Sequence, residues 1–305
     1  VCQPALNYGY ANPDPAKPWE QSVNAPGPQA VRRELRNIMA FWFDKGVDGF
    51  RVDMAASLVK GDPDKKAVMA LWQEMREWIN KNYPECVLVS EWSDPKKSIP
   101  AGFNIDFEIH LADKIYNTLF FASDAPWGKK GKECYFDKNG RGSLDYFYSK
   151  YADIYSSTHD KGYVAFPTAN HDFQRLRTGR RNDLQQLKVA MTFFLTRPGV
   201  PFIYYGDEIG MKYLPGLQPK EGSRKRSGTR TPMQWAAGET AGFSTCTPEK
   251  LYFPVDTENG KITVAAEDND PRSLLNFVRG LIKLRHSSPA LNNDGAWQLV
   301  SNPSK

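Results

Sequence analysis

Along the chain, short apolar runs alternate with stretches whose apolar residues recur every three to four positions. Runs at 47–54, 86–89, 103–109, 163–166 and 199–206 have strand length. Those at 86–89 and 200–205 are apolar almost throughout, which suits strands buried on both faces. Helical spacing is present at 30–45, with Pro28 at a first-turn position and Val31, Leu35, Ile38, Met39 and Trp42 on one face. It returns after Asp62-Pro63, where Val68, Leu71, Trp72, Met75 and Ile79 share a face, and again at 144–155 and 184–195. Asp270-Pro271 marks the start of a last helix reaching to about Arg285. Strand and helix in alternation predict a parallel sheet covered by helices, in about five strand–helix units. Residues 1–27 are Pro- and Asn-rich loop, 120–142 are irregular, and the 207–260 loop is long enough to imply a function.

Three of these strands run into a carboxylate. Gly49-Phe50-Arg51-Val52 leads to Asp53, Val87-Leu88-Val89-Ser90 to Glu91, and Phe166-Pro167-Thr168-Ala169-Asn170-His171 to Asp172. Parallel α/β folds place their sites at the carboxyl ends of strands, so three acids there converge on one pocket. Crowded carboxylates push one another's pKa values apart, which separates an acid from a base or nucleophile. Glycoside cleavage needs that pairing. Singly, each acid reads more readily as a turn or capping residue. With Arg51 two positions before Asp53 and His171 one before Asp172, the set points to chemistry.

These segments resemble those of glycoside hydrolase family 13, the α-amylase family. Gly-Phe-Arg-Val-Asp, Ser-Glu-Trp and Asn-His-Asp occur in the family's order, 38 and then 81 residues apart between acids. Gly-Val-Pro-Phe-Ile-Tyr-Tyr-Gly-Asp-Glu at 199–208 resembles its eighth barrel strand, and Gly-Thr-Arg-Thr-Pro-Met-Gln-Trp at 228–235 the loop after it. The resemblance implies a (β/α)8 TIM-barrel catalytic domain present only in part, from about strand four to strand eight. Residues 1–27 would end an inserted domain, 28–291 would be the C-terminal part of the barrel, and 292–305 would begin a C-terminal β-domain. The chain would then be a piece of a longer protein.

By residue, the resemblance makes Asp53 the nucleophile, Glu91 the general acid/base and Asp172 the third acid, which binds sugar hydroxyls. It makes Arg51 the partner of the nucleophile, and His171 and Arg175 substrate contacts. The implied mechanism is retaining and uses no organic cofactor. Gln3-Pro4-Ala5-Leu6-Asn7 is similar to a segment of oligo-1,6-glucosidase-like members, with Ala5 in place of their Asp. Ala56 and Ser57 stand where endo-acting α-amylases often carry Lys and His, so no metal contact is expected there. The implied substrates are malto- or isomalto-oligosaccharides. The alternatives are an endo-acting α-amylase, a transglycosylase or sugar isomerase of the trehalose synthase kind, and a non-catalytic carbohydrate-binding relative.

Composition adds little beyond exclusions. The net charge of +5 is spread along 305 residues, apart from short clusters such as Arg224-Lys225-Arg226 that read as solvated surface, so no nucleic-acid partner is expected. No apolar run is long enough to span a membrane. Cysteines at 2, 86, 134 and 246 have neither zinc nor redox spacing. Tyr and Trp in loops, Trp235 among them, suit the stacking of sugar rings and suit ordinary packing equally.

Overall fold

The computed structural model describes residues 5–109, 115–120, 134–137, 144–220, 224–256, 260–298 and 300. Gln3 and Pro4, most of the 120–142 stretch and the last five residues lie outside that set. The elements in chain order are α1 (Pro26–Phe43), β1 (Gly49–Val52), α2 (Lys66–Asn82), β2 (Val87–Ser90), α3 (Pro95–Ser98), β3 (Ile105–Phe107) and α4 (Ile115–Phe120). They continue with α5 (Asp145–Thr158), β4 (Tyr163–Pro167), α6 (Leu184–Leu195), β5 (Val200–Phe202), α7 (Val264–Asp268) and α8 (Leu274–Ser287). The chain divides into two compact units, residues 1–112 with 154–164, and residues 113–153 with 165–305.

In the first unit, β1 pairs β2 and β2 pairs β3, all in parallel. Gly49 is required at the head of β1, because a Cβ there would run into the Val87 carbonyl of β2. Val68, Leu71, Trp72, Met75 and Ile79 of α2 are all buried, as the spacing predicts. The helix begins later than Asp62-Pro63 suggests. Lys65 takes a left-handed conformation before it, and Asp62 reaches forward to accept the Val68 N–H at 2.8 Å. Arg76 of α2 then fastens the starts of two strands, donating to the Cys86 carbonyl at 3.1 Å and to Asn104 Oδ1 at 2.5 Å. Asn104 Oδ1 also accepts the Leu88 N–H, and the Asn104 carbonyl accepts the N–H of Tyr163, which opens β4.

The buried face of α1 is only in part the one the spacing suggests. Arg32, Met39 and Phe43 are buried, whereas Ile38 and Trp42 stay about half exposed. Packing of Leu35, Met39 and Phe43 into the core accompanies this rotation, together with ion pairs from Arg32 and Arg36 to Glu74 of α2. The 32/36/39/43 row faces α2, and Ile38 and Trp42 are carried outward.

In the second unit, β4 and β5 pair in parallel, with Phe166 opposite Pro201. The ladder continues past the strands through Thr168 N–H to the Phe202 carbonyl, and ends where Tyr204 N–H turns to Thr168 Oγ1. α6 occupies the predicted residues and carries a capping box between Asp183 and Gln186. α8 starts at Leu274 with Ser273 as its cap, because Asp270 is engaged in the preceding turn with the Arg272 N–H. Arg285 of α8 ties this helix to the approach to β5, donating to the carbonyls of Leu195, Arg197 and Gly199 at 2.6–3.0 Å. Arg197 lies over four aromatic rings, those of Phe147, Tyr151, Phe166 and Phe193.

Candidate active site

In the first unit, the chain leaves β1 at Asp53 and turns at once. Met54 has φ 46° and ψ 41°, a left-handed conformation that a side chain with a Cβ adopts at a cost of about 1 kcal/mol or more. The turn directs the Met54 N–H at Glu91 Oε2, 3.1 Å away. Glu91 is brought alongside because its own N–H extends the β1–β2 ladder to the Val52 carbonyl. Arg51 joins the two acids through one guanidinium. Its Nη1 lies 2.6 Å from Asp53 Oδ1 and its Nη2 2.8 Å from Glu91 Oε1.

The two carboxylates differ in environment. The Asp53 side chain is 75% exposed and that of Glu91 is 9% exposed. Burial pushes the Glu91 carboxyl above the ordinary range. The Met54 N–H and Arg51 partly offset this, and the neighbouring Asp53 adds to it. One acid therefore favours holding a proton while the other presents an ion-paired oxygen to solvent.

In the second unit, Asp172 sits two residues beyond Asn170, whose Oδ1 accepts the Asp172 N–H at 2.9 Å. Three basic side chains meet its Oδ1: Arg230 Nη2 at 2.9 Å, Arg226 Nη1 at 3.3 Å and His171 Nε2 at 3.4 Å. Arg230 also donates from Nε to the His171 carbonyl, so one guanidinium holds both ends of the His171-Asp172 step. Arg226 and Arg230 were not singled out in the sequence. Arg230 lies within the Gly-Thr-Arg-Thr-Pro-Met-Gln-Trp segment, which was the available signal. Arg226 belongs to the short basic cluster read as surface.

Arg175 is placed differently. Its side chain is fully buried, 3.5 Å from Asp207, and donates to the Tyr205 carbonyl at 2.6 Å. Asp207 in turn accepts from Thr168 Oγ1 at 2.7 Å. The guanidinium thus braces the chain just past β5 and, through Asp207, the Thr168 end of β4.

Beside Arg230 opens a cleft of about 510 Å³ lined by Tyr205, Met233, Trp235, Phe243 and Tyr252. Among the described residues, no three His, Cys, Asp or Glu side chains are grouped to hold a metal ion. Among them also, no helix is long and apolar enough to cross a membrane.

Comparison with known proteins agrees with these features. The family described as Alpha amylase, catalytic domain, matches residues 26–294. "Alpha-amylase 3" of Dictyoglomus thermophilum is 29% identical over 86% of this chain and 47% of its own length. "Trehalose synthase/amylase TreS" of Mycolicibacterium smegmatis is 27% identical over 84% of this chain and 47% of its own. The chain spans about half the length of such curated relatives. The crystal structure of isomaltulose synthase (PalI) from Klebsiella sp. LX3 has a TM-score of 0.71 at 22% identity, covering 98% of this chain and 63% of that one. At that identity the likeness establishes the fold, a partial (β/α)8 barrel with parallel strands. The match across most of the chain, the strand-end acids and the shared fold together place this protein in the α-amylase family, as part of its catalytic domain.

Proposed function

We propose that this chain carries the catalytic acids of a retaining enzyme that cleaves α-1,4- or α-1,6-glucosidic bonds in starch-derived oligosaccharides. The observation that carries the proposal is the bridge from Arg51 to two carboxylates of opposite exposure. Glu91, buried and with its pKa raised, protonates the glycosidic oxygen. Asp53, open to solvent, attacks the anomeric carbon from the other face and forms a glycosyl ester. Glu91, now ionised, takes a proton from water, which releases the sugar and restores both groups. Arg51 holds both acids in place and stabilises the charge that moves between them. Asp172, by its match to the third acid of the family, takes sugar hydroxyls, with His171, Arg226 and Arg230 fixing its carboxylate. The family resemblance makes Arg175 a further substrate contact, whereas its burial against Asp207 favours a bracing role.

A second reading differs only in what attacks the glycosyl ester. Similarity to the trehalose synthase of Mycolicibacterium smegmatis favours a sugar hydroxyl in place of water. The test is product analysis with maltotriose, isomaltotriose and maltose, beside the Asp53→Asn variant. Glucose release lost in the variant supports hydrolysis, and a new disaccharide lost in the variant supports transfer. Turnover retained in the variant would remove Asp53 from the mechanism.

A further inference from the structure

Asp106 lies on β3 in register with Ser90 of β2, the residue before Glu91. It is completely buried. Its Oδ1 accepts from Ser90 Oγ at 2.5 Å and from the Trp92 N–H at 3.2 Å, and its Oδ2 accepts the Asp94 N–H at 2.9 Å. These donors flank Glu91 on both sides. The same end of β3 holds Ser93, whose hydroxyl donates to the Phe107 carbonyl and accepts the Ile109 N–H. Ser93 has φ 57°, a conformation that persists in a residue other than glycine only where its surroundings impose it. Burial pushes the Asp106 carboxyl up to about 6 even with these donors in place. A carboxylate in this position costs stability, and a strand pair alone does not call for it.

We infer that Asp106 is a positioning residue for Glu91, its carboxylate fixing the backbone on either side of that acid so that the side chain meets Arg51 and the Met54 N–H. The catalytic consequence rests on the glycosidase reading, whereas the placement does not. Glu91 faces β1 and Asp106 faces it from β3, so the segment 90–94 is clamped between them. Without Asp106, the Trp92 and Asp94 N–H groups lose their acceptor and the Ser90 hydroxyl keeps only its longer bond to the Ile105 carbonyl, so the segment is free to shift.

The test is Asp106→Asn in the 305-residue chain. An asparagine offers one acceptor oxygen and one NH2, so at least one of the three donors must face an NH2. A shift of a fraction of an ångström at Glu91 should lower kcat about tenfold or more while KM stays within about threefold. The Met54 amide, which does not touch Asp106, provides a readout that needs no activity. Its 1H–15N signal should move and its hydrogen exchange should accelerate, as in Glu91→Gln. A folded Asp106→Asn chain with an unchanged Met54 amide would overturn the inference, whatever its rate. If Asp106→Asn does not fold, Ser90→Ala removes one donor and should move the Met54 amide less, in the same sense; no movement there overturns the inference equally. A wild-type chain without glycosidase activity whose Met54 amide moves in the variant would leave the positioning role standing without its catalytic consequence in this chain.

Discussion

Replacing Glu91 with Gln separates the two duties proposed for it, protonating the leaving group and holding its place. Both oxygens of Glu91 already accept hydrogen bonds, Oε1 from Arg51 at 2.8 Å and Oε2 from the Met54 N–H at 3.1 Å. A glutamine must turn its NH2 toward one of these donors, which costs about 1–3 kcal/mol of local order. Loss of the acid itself costs a further factor of about 10²–10⁴, or roughly 3–5 kcal/mol of barrier at 1.36 kcal/mol per decade. A substrate that needs no proton to leave feels only the first cost. On maltotriose, Glu91→Gln should therefore lose the full product of the two. On α-glucosyl fluoride, read as the initial burst of fluoride, it should lose at least about 10²-fold less. Asp53→Asn should abolish the fluoride burst and also the turnover of maltotriose, because its carboxylate forms the bond. Equal losses on the two substrates in Glu91→Gln would refute the assignment of Glu91 as the acid.

Three further outcomes follow from the same geometry. Glu91 works protonated and its pKa is raised, so kcat/KM should fall as pH rises through a titration above the ordinary 4.5; Arg51→Gln removes a group that lowers this pKa, so 13C NMR of the Glu91 carboxyl should show titration at still higher pH, and a move to lower pH would contradict the reading. Arg230→Lys keeps the charge but cannot reach both the His171 carbonyl and Asp172 with one nitrogen, so KM should rise about tenfold with little change in Tm; an unchanged KM would remove Arg230 from the support of Asp172. Arg285→Ala leaves the carbonyls of Leu195, Arg197 and Gly199 without their donor and should cost about 3–5 kcal/mol in urea unfolding, a loss below about 1 kcal/mol showing that water replaces the guanidinium freely.

What the sequence disclosed depended on whether a feature was local. The apolar row of α2 and the whole of α6 were legible because spacing and capping residues lie within the element itself. The face of α1 was legible only in part, at Leu35 and Met39, because its packing and its ion pairs are with residues distant in sequence, such as Glu74, 38 residues beyond Arg36. α3 and α7 have four and five residues, too few for a period to register. The run at 199–206 shortened to Val200–Phe202 because the hydroxyl of Thr168, a residue of the preceding strand end, captures the Tyr204 N–H. At the site, the positions of Asp53 and Glu91 followed from where strands end. The bridge by Arg51 was foreseen only on the Asp53 side, since Glu91 comes within reach through strand pairing.

The arginines of this region differ in environment in a way that residue type alone does not disclose. Arg175 and Arg230 both lie near a strand-end acid in sequence or motif, yet their environments give them opposite uses. The Arg175–Asp207 pair has no exposed surface, so separating it would leave a charge in the interior, at a cost of several kcal/mol. Such a pair fixes geometry and is not exchanged during turnover. Arg226 and Arg230 keep 45% and 30% of their side chains exposed, and ion pairs of that kind are worth about 1 kcal/mol or less. Their bonds to Asp172 can be traded for a sugar hydroxyl at little cost. A substrate-binding acid needs partners that orient it without competing with the ligand, and the exposed pair meets that condition where the buried one does not.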